Sequence, residues 1–562
     1  MAAIQQILLG MGGAGSDSYW YSLLSWGSMS GNYDYHHYLN HQGSNDEDND
    51  DIYVAGQRSY YHQSSSNRWQ AYYTKLDTEG ALQAQISFAT AGSYTYTDGT
   101  GCFVQKYSDN NYQSGTEQKY VLLSGADSYC HFARARTSDL QVQGQNSLKT
   151  ATSPNSLTKN IVAGKRGFRW SGGVGGGVNN EVMGCFYFTG TVIGKMGFNN
   201  SDPNASYNSN DAGKTGQNYS PTSKQVVPWN FAGTTWYREQ YIRGMTFEPG
   251  TNSYDPSDNE WDNVAPFIHY NSTFHPVTNA NPHYGYMWHI QRCSGHGVFS
   301  GSGTSNNQTR FHRQTRSTFN DGNGQSQAIW SGGSTADTSH AWHCATMNNN
   351  ASDDYRGLLV KVSHNGAHNS GNPIVWTKEV SDLSGEESGY KRVYFKNIKV
   401  DDSGCVFVVG YFKPSANRTN GLIMKFNANG TIAWQNIFYK TSNNSNTDIK
   451  FEGLEINSLG SIIIFGYVLG STYTSPGTSG TADNFYRALT MKVANDGSGT
   501  GSYGDYTYEA SSFGLGNFGG TWTTYTSTAF NYQTNANSTQ RNYGETKDNN
   551  YTQNATVSTT TM

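Results

Sequence analysis

In the C-terminal half of the chain, apolar positions fall in short bursts bounded by turn residues. Three segments share one pattern: Gly357-Leu-Leu-Val-Lys361-Val-Ser-His-Asn-Gly366, Gly421-Leu-Ile-Met-Lys425-Phe-Asn-Ala-Asn-Gly430 and Ala488-Leu-Thr-Met-Lys492-Val-Ala-Asn-Asp-Gly497. The first two lead into short strands ending at Trp376 and Trp434. Between them lie Ile398-Lys-Val-Asp-Asp-Ser-Gly404-Cys-Val-Phe-Val-Val-Gly410-Tyr411 and Leu454-Glu-Ile-Asn-Ser-Leu-Gly460-Ser-Ile-Ile-Ile-Phe-Gly466-Tyr467. Runs of this length, bounded by Asn or Asp and then Gly, predict strands joined by hairpins, because those residues supply the positive φ that tight turns need. The spacing is regular: 64 positions from Lys361 to Lys425, 67 from Lys425 to Lys492, and 56 from Gly410 to Gly466. Each period therefore holds two hairpins, or four strands.

Weaker copies occur upstream at Ile52–Gly56 with Tyr73–Gly80, at Tyr120–Gly125 with His131–Arg134, and at Val182–Gly190. Between about 200 and 345 the pattern decays to fragments such as Val298–Gly301 and Ala328–Gly332. Composition agrees with a strand-rich chain. Hydrophobic residues are 35% and charged residues 14%, yet aromatics reach 14% and Gly numbers 64, which favours many short strands over disorder. No long amphipathic helix is evident.

The repeat resembles bacterial β-propeller motifs of the form Lys-x-Asp/Asn-x-x-Gly…Trp, followed by Asp-x-x-Gly and an apolar strand ending in Gly-Tyr. The resemblance implies an all-β propeller of six to eight four-stranded blades, with seven the best number. The opening Met1-Ala-Ala-Ile-Gln-Gln-Ile-Leu-Leu-Gly10 and the glycine-rich stretch after it resemble the start of tailed-phage structural proteins, including tail fibres. Together the two resemblances imply a virion part assembled in a host cytoplasm. The expected partners are other virion or tail proteins, further copies of the chain in a homo-oligomer, and host-surface glycan. The expected organisation is a docking arm over 1–48, a propeller over 49–513 with long loop insertions around 200–345, and a Thr/Asn-rich strand and tail over 514–562. The segment Thr521–Thr528 is a candidate strand for closing the ring with N-terminal sequence.

Charge narrows the function classes. A net charge of −5 offers no basic face for nucleic acid. No run of 18 apolar residues suggests a membrane span. The opening segment lacks the basic leader of an export signal. Six scattered cysteines without a CxxC pair read as free thiols.

Candidate chemistry is sparse. His283, His289, Cys293 and His296 lie within fourteen residues and offer zinc-type ligands, at a spacing that fits no finger pattern. Asp46, Asp48 and Asp50 alternate as in calcium loops, but Asp51 and Gln57 stand where an EF-hand has Gly and Glu. Apart from these possible zinc and calcium ligands, no cofactor is expected. The segment Ser253–Trp261, with Asp255, Asp258 and Glu260, is superficially similar to the Asp-box of sialidases, but Ser257 replaces its glycine and Trp261 is displaced by one residue, so no enzymatic activity is expected. Tyr284, Tyr286 and Trp288 are the candidate glycan or partner surface, since aromatic rings cover sugar C–H faces. The expected function is a tail fibre or adhesin. A purely architectural virion part, such as a tail nozzle or capsid fibre, and a glycan depolymerase are the alternatives.

Overall fold

The computed structural model describes residues 18–26, 35–46, 48–62, 65–88, 98–107, 118–126, 130–148, 169–171, 181–189, 192–199, 223–225, 230–231, 234–235, 241–248, 267–274, 287–294, 309–313, 329–348, 354–364, 374–383, 391–415, 417–442, 447–474, 482–518, 522–526 and 555–562. Among them every regular element is a strand and none is a helix, so the chain is all-β.

Antiparallel pairing among the described residues makes seven four-stranded runs, or units, three of them joined with further strands in one 16-stranded sheet and one extended to five strands, beside a separate two-stranded pair at Asn230–Phe231 and Thr234–Thr235. Unit one is Tyr35–Asn45, Ile52–His62, Ser65–Leu76 and Leu82–Phe88. Unit two is Asp98–Tyr107, Gln118–Ala126, Cys130–Arg136 and Val142–Leu148. Unit three is Arg169–Ser171, Glu181–Thr189, Val192–Asn199 and Ser223–Gln225, and unit four Tyr241–Phe247, Phe267–Phe274, Met287–Ser294 and Thr309–Arg313. Unit five is Ile329–Ala336, His340–Asn348, Asp354–Ser363 and Ile374–Leu383. Unit six is Lys391–Val400, Val406–Ser415, Arg418–Phe426 and Ile432–Lys440. Unit seven takes Thr447–Ile456, Ile462–Thr474 and Ala482–Val493 from the C-terminal half, and its fourth strand, Trp20–Trp26, from the N-terminus.

The glycine of the Gly-Tyr motif has a steric cause. The first strand of unit six bulges between Phe395 and Asn397, and that of unit seven between Phe451 and Gly453. Each bulge turns a carbonyl toward the second strand. A Cβ on Gly410 would land on the Tyr394 carbonyl oxygen, and one on Gly466 would land on that of Lys450. Gly56 meets the Leu39 carbonyl in unit one, beside the bulge at Asn40 and Gln42. A bulge opposite a glycine strengthens the local twist and ends regular pairing at that corner.

The hydrophobic cores lie between units. One joins Tyr53, Ala71 and Tyr73 of unit one to Cys102, Val121 and Leu123 of unit two. Others join units four and five, five and six, and six and seven. A further core sets Trp20, Ile463 and Phe465 of unit seven against Ile52, Val54 and Leu76 of unit one. No unit can bury its apolar faces alone, so stability depends on neighbours.

A repeated latch fixes that packing. In unit five, Lys361 pairs in register with Trp376, and both donate to the Ala428 carbonyl in the last turn of unit six, at 3.4 and 3.1 Å. In unit six, Lys425 pairs with Trp434, and both donate to the Asn495 carbonyl of unit seven, at 3.3 and 2.8 Å. In unit seven, Lys492 pairs with Trp20, whose indole N–H donates to the Thr78 carbonyl of unit one at 2.9 Å. Each indole packs beneath the positive-φ glycine of the turn it grips: Gly430, Gly497 and Gly80. A single such hydrogen bond contributes about 0.5–1.5 kcal/mol net, so the buried ring supplies the larger share. Ion pairs reinforce the boundary between units six and seven, where Lys396 meets Glu452 at 3.5 Å and Lys399 meets Glu455 at 2.8 Å. These residues are 56 positions apart, the interval of the Gly-Tyr repeat.

Several expectations are revised. Within the stretch expected as an arm, Trp20–Trp26 completes unit seven and Tyr35–Asn45 begins unit one, while residues 1–17, 27–34 and 47 lie outside the described residues. The region 200–345 contains the strands of unit four and half of unit five, whose sequences lack the Lys, Gly and Trp markers. The stretch after 500 is a strap along outer edges. Tyr506–Ala510 pairs with unit six, Phe513–Gly516 with unit five and Trp522–Thr526 with unit four. The strand that pairs with the N-terminal one is Ala555–Thr561, not the segment around Trp522.

Trp20 is 1% exposed despite its place near the chain start. Trp20→Ala is therefore expected to cost about 3–5 kcal/mol and to exceed the cost of Trp376→Ala, whose ring is only half-buried. Urea unfolding of the two variants measures this directly, and a near-neutral Trp20→Ala would contradict the latch.

Candidate recognition surface

The bulged corners of units five to seven carry a line of aromatic side chains. Tyr394 lies directly opposite Tyr411 across the strand pair, and their rings stack with centroids 4.5 Å apart. A short parallel bridge between units five and six pairs Tyr355 with Arg392. It brings the Tyr355 ring to 4.9 Å from Tyr394. Trp330, 41% exposed, stacks on the far side of Tyr355 at 5.7 Å. Beyond Tyr411 the line continues through Lys450, whose Nζ lies 5.5 Å from the ring centres of both Tyr411 and Tyr467. Tyr486 closes it with an edge contact to Tyr467 at 5.2 Å.

Repeat equivalence explains this line. Lys450 occupies in unit seven the place that Tyr394 holds in unit six, and Tyr467 the place of Tyr411. Successive units thus present ring, ring, cation, ring at one height on the body. Apart from Trp330 the rings are half-buried, and Tyr394 is stacked between Tyr355 and Tyr411. Arg392 lies 5.6 Å from the Tyr355 ring centre and Lys396 5.5 Å from that of Tyr411, so cations flank the rings.

Two carboxylates anchor the unit-seven end. Asp448 accepts from Lys450 at 3.0 Å and from the Tyr486 hydroxyl at 3.1 Å. Burial, and then the Asp448 charge, push the Tyr486 phenol up to about 12. Burial and then Glu452 push Tyr411 and Tyr467 upward as well. These hydroxyls stay protonated and able to donate throughout the physiological range. The line thus combines ring edges, hydroxyl donors and alternating charges.

Several candidates read from the sequence lie elsewhere. Trp288 is fully buried, facing the core between units four and five, so it is not a surface ring. Tyr284 and Tyr286 lie outside the described residues, as do His283, His296, Asp255, Asp258 and Glu260. His289 and Cys293 fall on the strand Met287–Ser294, with side chains outside the described set. Asp46, Asp48 and Asp50 form the first turn of unit one. Asp46 is buried and accepts from the Asp48 amide at 3.0 Å. Asp50 reaches to unit seven, accepting from the Ser458 amide at 3.1 Å and its hydroxyl at 2.8 Å. The Asp46 and Asp50 carboxylates thus hold turns, the first within unit one and the second across to unit seven. Among the described residues, the metal-ligating side chains that do converge are Glu248, His269 and His364. The sequence signal for the aromatic line was the Tyr of the Gly-Tyr repeat, not the densest aromatic stretches.

No family model matches the chain, and no curated protein matches it. Among solved structures, it is similar to the full extracellular region of plexin A4, at 8% identity and a TM-score of 0.41, over 82% of this chain and 51% of that one. The chain thus spans about half the length of that structure. It is also similar to the C-terminal domain of Pseudomonas aeruginosa PilY1, at 10% identity and a TM-score of 0.21, over 79% of this chain and 92% of that one. A GH43 glycoside hydrolase engineered at its active site matches at 9% identity and a TM-score of 0.21, over 85% of each chain.

Because the folded state holds the Tyr486 proton where the unfolded chain releases it, this group's stabilising contribution is complete below pH 10. It is lost as pH rises through about 12. Urea midpoints are expected to fall over that window, and Tyr486→Phe to make the fall shallower. An identical decline in the variant would contradict the assignment.

Proposed function

We propose that the chain is a seven-bladed β-propeller acting as a structural and adhesive component of a virion appendage, and that its aromatic line holds host-surface glycan. The observation that carries the reading is the run of stacked rings and flanking cations fixed across three adjacent units. Sugar rings expose flat C–H faces that pack on such side chains, while phenol hydroxyls, Lys and carboxylates meet the hydroxyl groups. The same palette suits binding through many modest contacts spread along an extended ligand.

The propeller reading draws on how units meet. First strands of units four, five, six and seven contact one another in order, and unit seven then contacts unit one, and unit one unit two. A radial stack of four-stranded sheets with first strands innermost has this contact pattern. The N-terminal strand that completes the last unit supports closure of the ring. The opening segment's resemblance to tailed-phage structural proteins supports the virion setting and homo-oligomeric or tail-bound partners.

A glycan array probed with the full chain tests the reading. We expect binding to a restricted set of glycans. Removing one stacked ring, worth about 0.5–1.5 kcal/mol, should weaken binding roughly twofold to tenfold in Tyr394→Ala or Trp330→Ala without changing the far-ultraviolet circular dichroism. No glycan bound, or unchanged binding in both variants, would leave the architectural role alone.

A further inference from the structure

A second cluster lies between units four and five, remote from the aromatic line. Glu248 directly follows the first strand of unit four, and His269 lies on its second strand. His364 directly follows the third strand of unit five, and His343 lies on its second. All four are buried, with exposures of 3, 1, 5 and 0%. Glu248 Oε1 is 2.6 Å from His269 Nε2 and 3.3 Å from His364 Nδ1. The three ligand atoms lie within 4.8 Å of one another.

The hydrogen-bonding pattern is that of a ligand set. His364 Nε2 lies 2.9 Å from the Asp337 carbonyl oxygen, which can only accept, so Nε2 carries a proton. In the neutral ring, Nδ1 then turns a lone pair toward the Glu248 carboxylate, which is also an acceptor. A cation between them resolves that conflict. Imidazoles that bind metals commonly donate their other N–H to a backbone carbonyl, as His364 does. His343 adds a second, independent sign. Its Nδ1 is engaged by the Ser334 hydroxyl at 2.8 Å, while its buried Nε2 has no hydrogen-bond partner among the described residues. Its ring centre lies 6.0 Å from that of His269.

We propose that Glu248, His269 and His364 bind a divalent transition metal of the zinc class, joining units four and five. Two imidazole nitrogens and one carboxylate oxygen suit zinc better than calcium or magnesium, which favour all-oxygen shells. The three ligands come from both units, and among the described residues no Lys–Trp latch of unit four grips unit five. The metal would supply at this boundary the connection that the latch supplies elsewhere.

The test uses the purified full chain, stripped with chelator and titrated with zinc chloride or cobalt chloride. About one equivalent of zinc is expected to remain through gel filtration, with a melting midpoint raised by roughly 2–5 °C. Cobalt should give visible absorption bands of a low-coordinate nitrogen–oxygen site. Glu248→Gln and His364→Gln should each abolish retention, and the cobalt spectrum of the unaltered chain stands even if a variant folds poorly. Absence of stoichiometric zinc and of cobalt bands in the unaltered chain would overturn the proposal and leave a buried Glu–His ion pair. So would unchanged retention in both folded variants.

Discussion

The structure depends on one constraint: the cores described among units one, two, four, five, six and seven lie between neighbours, so those units are held against one another. The cores sit at these boundaries, and the Lys–Trp latch fixes their geometry. The latch works because a positive-φ glycine leaves a flat platform over which an indole fits, while the neighbouring carbonyl accepts the indole N–H. The same device recurs where unit seven meets unit one, although the Trp there comes from the other end of the chain. Chain ends are ordinarily where order is weakest. Here Trp20–Trp26 is sandwiched between Ala482–Val493 and Ala555–Thr561, so strands far apart in sequence share one sheet.

Regular packing of this kind has a functional consequence. When units repeat at a constant interval, side chains at equivalent positions fall at one height on adjacent units. Tyr394 and Lys450, and Tyr411 and Tyr467, are such pairs, and together they make a continuous surface that no single unit contains. The bulge that demands glycine at 410 and 466 also sets the corner from which the following tyrosines project. Fold and proposed recognition surface therefore share one local cause. The strap over Tyr506–Thr526 covers outer edges of units six, five and four, which would otherwise present unpaired strands.

The parts legible in the sequence were those where a residue type is dictated by geometry. Lys361, Lys425 and Lys492, their turn glycines and the Gly-Tyr pairs announced equivalent strands, and the structure places all three lysines in the same register opposite a Trp. The fourth strand of unit seven was not legible, because its Trp20 lies more than 460 positions from its partner Lys492. Unit four was obscured because its strands lack those lysine and Gly-Tyr markers. Trp288 illustrates the limit of composition: an aromatic-rich stretch suggested a surface, yet the ring fills a core. Glu248, His269 and His364 are spread over 116 positions, and no spacing rule could have joined them.

Native-state hydrogen exchange of the amides in Trp20–Trp26 tests most directly whether the two chain ends lock the body into one cooperative structure. The account predicts that these amides exchange at the rate of those in Ile462–Thr474, through global opening alone. Exchange orders of magnitude faster, in the manner of a frayed terminus, would contradict it.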